Sequence, residues 1–259
     1  VTSSDSHSGL RWIGTGLTHV GKVRSSNQDA FVVENAHRIW VVADGMGGYA
    51  GGEIASQLAV ASISEYFHSH ASRCEEGKEH ELLLREAIQS AHRALREKAK
   101  DRPELRWMGT TVVAMTLSEG PPAVATIAHI GDSRAYVLRG RTLTQCTKDH
   151  SLMQDYMSRG LLSEQETLAH PQRHVLTRAL GGDWRSEPDI AAHSLQPDDQ
   201  ILLCSDGVTT MLADWEILDV LLQERASAES ACRALVTAVN RRGGKDNVTV
   251  LIVRQEENS

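Results

Sequence analysis

The chain has 259 residues, 41% of them hydrophobic and only 4% aromatic, with a formal net charge of −7. That length supports one large domain or two small ones around a sizeable core. The acidic balance and the scarcity of aromatics argue against nucleic acid as a partner and disfavour an anionic membrane surface, but suit a site that holds cations.

Residues 1–9 (VTSSDSHSG) are polar and lack an apolar run, so the expectation is a flexible lead-in with no signal peptide. Residues 11–20, 29–35 and 38–44 carry alternating or apolar strand patterns. A helix follows from about Glu53, with Ile54, Leu58, Ala61, Ile63 and Phe67 near one face. Beyond the polar HSHASRCEEGKEH, a second helix sets Leu84, Ala87, Ile88, Ala91 and Leu95 at i, i+3, i+4, i+7 spacing. Strands at 110–118 and 123–130 flank the turn-forming EGPP, and strands at 133–139 and 141–147 flank Arg139-Gly140-Arg141, which predicts two antiparallel hairpins. Residues 150–186 are charged and weakly periodic, and read as a flap outside the core. Strands at 188–194 and 199–205 precede helices near 213–224 and 227–241, the second capped by Gly243 and Gly244. The last strand spans 247–254 and residues 255–259 form a tail. Hairpins interrupted by helix pairs do not give βαβ alternation. They predict an α+β fold, antiparallel sheets covered by helices, in a single domain over 10–254.

Cys74, Cys146, Cys204 and Cys232 are widely spaced and form no CxxC pair. They read as buried free thiols in a reducing, cytoplasmic setting. No apolar run approaches the roughly 18 residues of a membrane span. The twelve histidines show no HxxxH pair sharing a helix face with an acid, so they read as solvated or core residues, His68 and His70 included. His150 is held open as a residue that orients a site.

VVADGMGGYAGGE (41–53) fits a GxGxxA dinucleotide fingerprint. The fingerprint also needs a second strand ending in an acid, but Glu65 still lies within the helix. Asp44, beside the first glycine, would repel a pyrophosphate. The aspartates offer a better reading. Asp44, Asp132, Asp206 and Asp246 each sit at the edge of an apolar strand, where Asp-Gly and Asp-Asn pairs also make ordinary turns. If those strand ends converge, four carboxylates need cations. Oxygen ligands without His or Cys point to Mg²⁺ or Mn²⁺. The Gly45 carbonyl, with no side chain beside it, can also approach a metal. Two such ions can activate a water for attack on a phosphate. Arg24 supplies a guanidinium fork that matches two phosphate oxygens.

These residues carry a family likeness. VGKVRSSNQDAF, VVADGMGGYAGGEIAS, GTTVVAM, IAHIGDSRAYVLR, KDHSL, HPQRHVLTRALGG, ILLCSDGVTTML and GGKDNVTVLIV, in that order, resemble the bacterial form of the metal-dependent Ser/Thr protein phosphatases, the PPM or type 2C family. The resemblance implies a central β-sandwich flanked by helix pairs, with metals at one end. It implies that Asp44 bridges two core ions, that the Gly45 carbonyl completes one, and that Asp206 and Asp246 hold the other. Asp132 matches the position of a third, weaker ion, Arg24 the phosphate-gripping arginine, and Asp29 the acid that orders waters on the ions. Substrates would be phosphoserine and phosphothreonine proteins made by an opposing kinase, and the enzyme a monomer. Animal relatives carry a histidine where this chain has Met46. The proton for the leaving group is therefore expected from a water near Asp132. A catalytically weak phosphoprotein-binding module using the same groove is the alternative.

Overall fold

The computed structural model describes residues 10–48, 51–70, 79–100, 102–118, 120, 122–168, 170–183 and 185–257. The lead-in, Tyr49 and Ala50 of the glycine loop, and Cys74 lie outside these residues. In chain order the elements are β1 (Leu10–His19), β2 (Asp29–Glu34), β3 (Ile39–Met46), α1 (Gly51–His70), α2 (His80–Lys100), β4 (Gly109–Thr110), β5 (Val112–Leu117), β6 (Val124–Ile130), β7 (Arg134–Arg139) and β8 (Thr142–Gln145). Then come α3 (Leu152–Ser158), α4 (Glu164–Leu168), β9 (Asp189–Ser194), β10 (Gln200–Cys204), α5 (Asp206–Thr209), α6 (Asp214–Gln223), α7 (Ala228–Arg241) and β11 (Val248–Glu257). One sheet runs β1-β11-β10-β7-β8, the other β2-β3-β5-β6-β9 with β4 paired to β3.

Strand alternation decides the layers. Ile39, Val41 and Ala43 of β3 face α1 and α2, packing on Ile63, Phe67, Leu84 and Ile88. Trp40 and Val42 point the other way, into the space between the sheets, where they join Met115, Ile201, Leu203, Leu251 and Val253. The alternate residues of β10 and β11, Leu202, Cys204, Val250 and Ile252, face α6 and α7. Each central strand therefore buries both faces, which is why its sequence reads as a continuous apolar run. The result is an α-β-β-α stack of antiparallel sheets, as expected.

Four details depart from the expectation. The flap is not wholly outside the core, since Leu180 is buried in it and exchanges backbone hydrogen bonds with Thr110. β11 continues to Glu257, because Gln255, Glu256 and Glu257 pair with Trp12, Arg11 and Leu10. The residues after β10 wind into α5, which periodicity missed because it is one turn long. Cys146 is only partly buried, whereas Cys204 and Cys232 are buried free thiols.

Candidate active site

The parity that packs the core also builds the cleft. Asp44 shares the parity of Trp40 and Val42, so it points between the sheets at the end where the packing opens. Asp29 lies opposite it in the β2–β3 register. Asp206 opens α5 immediately after β10, and Asp246 precedes β11. Asp132 sits in the turn where the chain crosses from β6 in one sheet to β7 in the other. That turn requires Gly131, whose φ is +99° and where a Cβ would lie 2.5 Å from the Thr111 side chain. Arg24 belongs to the loop between β1 and β2. Arg24, Asp44, Gly45, Asp132, Asp206 and Asp246 thus all line one cleft of about 820 Å³. Asp29 does not line it; it lies buried behind.

Backbone approach is close at Gly45. A Cβ there would come within 2.0 Å of the Gly52 carbonyl, so only glycine fits the junction of β3 and α1. The Gly45 amide donates to the Gln28 carbonyl (3.0 Å), and the Asp44 carbonyl accepts from the Thr111 amide and the Thr110 hydroxyl (2.9 Å each). The backbone of Asp44 and Gly45 is held from both sides.

The charges are not balanced by the protein. Burial, followed by repulsion from Asp29, Asp206, Asp132 and Asp246, pushes the Asp44 carboxyl well above the usual carboxylate range. Burial and then Asp206 raise Asp132 in the same way. Burial and then repulsion from Asp246 raise Asp206 as well. Asp29 is pushed up to about 7 by burial, against the Thr249 and Ser205 hydroxyls, which lower it. Those hydroxyls both donate to Asp29 Oδ2 (2.7 and 2.8 Å), while Oδ1 is buried without a hydrogen-bond partner. Ser205 is thereby tied to Asp29 and to the Thr249 amide (3.0 Å), which leaves it unsuited as a nucleophile. An all-oxygen set, raised carboxyl pKa values and an orphaned carboxylate oxygen fit hard divalent cations.

This imbalance gives an expected pH dependence. The folded state holds Asp29 protonated up to about pH 7, whereas the ordinary value is 3.8. Between those values the folded chain binds more protons than the unfolded one, so stability falls as pH rises. The metal-free protein is expected to melt lower at about pH 8 than at about pH 5, and the rise in Tm on adding Mn²⁺ to grow over that interval. Thermal melts with and without Mn²⁺ across the range check this; a pH-independent Mn²⁺ increment would contradict it.

Asn247 escaped the sequence reading, whereas Arg24 and His150 were in view. Asn247 is buried and latches the Arg24 loop, accepting from the Gln28 amide (2.8 Å) and donating to the carbonyls of Val20 and Ser26 (2.9 Å each). Arg24 itself donates to Asp246 Oδ2 (2.8 Å) and is exposed. His150 accepts the Gly131 amide at Nδ1 (3.2 Å) and meets Asp189 at Nε2 (3.1 Å), so it braces the turn that carries Asp132. Met46 lines the cleft, as do Arg173 and His174 of the flap and Lys245. The flap piece HPQRH was in view, but no local signal says which of its side chains reach the cleft.

Comparisons with known proteins identify the family. Residues 15–241 match the family model described as Protein phosphatase 2C. The chain is 36% identical over 241 residues to the serine/threonine phosphatase stp of Listeria welshimeri, covering 92% of this chain and 94% of that one. It is 38% identical over 232 residues to the serine/threonine protein phosphatase PstP of Mycobacterium tuberculosis, an alignment that takes in 90% of this chain and 43% of PstP. The crystal structure of the PstP catalytic domain with two manganese ions superposes with a TM-score of 0.84 at 31% identity, over 96% of this chain and all of that one (100%). A match spanning most of the chain, on a fold that gathers these acids at one end of a sandwich, makes the protein a member of the protein phosphatase 2C family.

Proposed function

We propose that this chain hydrolyses phosphoserine and phosphothreonine monoesters of proteins, and so opposes a Ser/Thr kinase, as a monomer in the cytoplasm. The observation that carries the reading is the meeting of Asp44, Asp132, Asp206 and Asp246 with Arg24 in one cleft. Asp44, the Gly45 carbonyl, Asp206 and Asp246 would hold two Mn²⁺ or Mg²⁺ ions, and Asp132 a third. Bound there, such ions lower the pKa of water and polarise the phosphoryl group. The chain's own residues do the rest. The exposed guanidinium of Arg24 spends one of its five N–H donors on Asp246, and the others are free to orient phosphate oxygens toward the acids. Asp29, buried behind the cleft with no hydrogen-bond partner at Oδ1, is assigned to ordering the waters that such ions would carry. The flap, through Arg173 and His174, borders the cleft and is assigned to the choice of phosphopeptide.

Turnover of a phosphothreonine peptide with and without Mn²⁺ tests the function. Metal-dependent release of phosphate is expected, and binding without turnover would favour the weakly catalytic binding module. The leaving alkoxide also needs a proton, and Met46 has none to give. Asp132 is assigned to ordering the water that supplies it. Asp132→Ala is then expected to slow the phosphopeptide by at least about tenfold more than nitrophenyl phosphate, whose leaving group needs no proton. Equal slowing would move the role to another donor in the cleft, such as His174.

A further inference from the structure

At the far end of β2 from the cleft, a second group of ligand-type side chains converges. Glu34 ends the strand. The turn into β3 brings His37 back over it, with the His37 amide donating to the Glu34 carbonyl (3.2 Å) and Arg38 in the left-handed region at φ +52°. His68 comes from the last turn of α1, the helix packed on this sheet. The Ser64 hydroxyl, one helical turn before His68, donates to Glu34 Oε1 and fixes the carboxylate. Glu34 Oε2 is buried and has no hydrogen-bond partner.

The spacing of the three ligand atoms is informative. His37 Nδ1 and His68 Nε2 each lie 3.4 Å from Glu34 Oε2, and all three atoms lie within 4.8 Å of one another. Charge-assisted hydrogen bonds would draw them to about 2.8 Å. Tetrahedral coordination with bonds near 2.0–2.1 Å puts ligand atoms about 3.4 Å apart. The imidazoles meet edge to face at 87°, with centroids 3.9 Å apart, so they do not stack away from the carboxylate. Glu34 is 17% exposed and His68 52%, so the carboxylate sits inside and the imidazole reaches the surface.

We infer that Glu34, His37 and His68 form a binding site for a borderline divalent transition metal, Zn²⁺ foremost. Two imidazoles and one carboxylate suit zinc, whereas the all-oxygen cleft suits Mn²⁺ or Mg²⁺, so the two classes of ion sort between the two ends of β2. The ends stand five residues apart, about 16 Å, which keeps a zinc ion here clear of the aspartates. The ion ties the end of α1 to the β2–β3 turn. This inference is independent of the phosphatase reading.

The test uses the full chain saturated with Mn²⁺, titrated with Zn²⁺ and then dialysed and counted for both metals. The native chain is expected to retain one more zinc equivalent than His68→Ala, and to gain several degrees of Tm that the variant does not. Because zinc also competes for the aspartate cleft, the difference between chains is the readout. His68 is half-exposed at a helix end, so its loss leaves folding, Mn²⁺ content and phosphopeptide turnover unchanged. Glu34→Gln, which keeps a hydrogen-bond acceptor for Ser64, gives the second arm. Zinc affinity at this site is expected to fall at least about 100-fold in each variant. Equal zinc stoichiometry and affinity in native and variant chains would overturn the inference.

Discussion

Asp206→Asn is expected to lower kcat/KM for a phosphothreonine peptide by roughly 10³-fold, about 4 kcal/mol of transition-state stabilisation. The amide has the shape of the carboxylate, so packing around α5 is preserved, but the charge that holds a cation is gone. The same change has an opposite effect on the metal-free fold. Asp206 is pressed between burial and Asp246, which raise its pKa, and a neutral side chain removes that repulsion. Metal-free Asp206→Asn is therefore expected to melt higher than the native chain while losing most of the Tm gain from Mn²⁺. Activity down with stability up separates a ligand role from a structural one. Turnover within tenfold of native would remove Asp206 from the metal set.

Arg24→Ala is expected to cost about 10²-fold in kcat/KM, mainly through KM, because a guanidinium that grips the phosphate does so in the bound substrate as well as in the transition state. Arg24→Lys should recover only a small part, since an ammonium cannot present two parallel N–H donors. Inorganic phosphate gives a readout independent of catalysis: its inhibition constant should rise in step with KM. An unchanged phosphate constant would mean that the exposed Arg24 only neutralises Asp246, to which it is bonded at 2.8 Å.

Much of the scaffold was legible because strands announce their faces locally. The runs around Trp40, Leu202 and Val250 mark strands buried on both sides, and the aspartates that end them stood out by position. The boundary of β11 did not, because Gln255 to Glu257 are held by pairing with β1 and not by their own propensity. α5 did not, because one helical turn has no period to read.

What the sequence by itself determined was the longer strands and helices, their order, the parity of the central strands and the acids near the strand ends, since these depend on neighbours along the chain. The tertiary structure alone decided which ends share a cleft. It turned Ser205, just past the end of β10, and Thr249 of β11 toward Asp29 from the opposite sheet, made Asn247 the latch of the Arg24 loop, and brought His174 to the rim. It also set His37 beside His68, histidines that the sequence left as solvated or core residues with no link between them. The physical reason is the same each time: side-chain direction follows from backbone period, but proximity between distant segments follows from how whole layers pack.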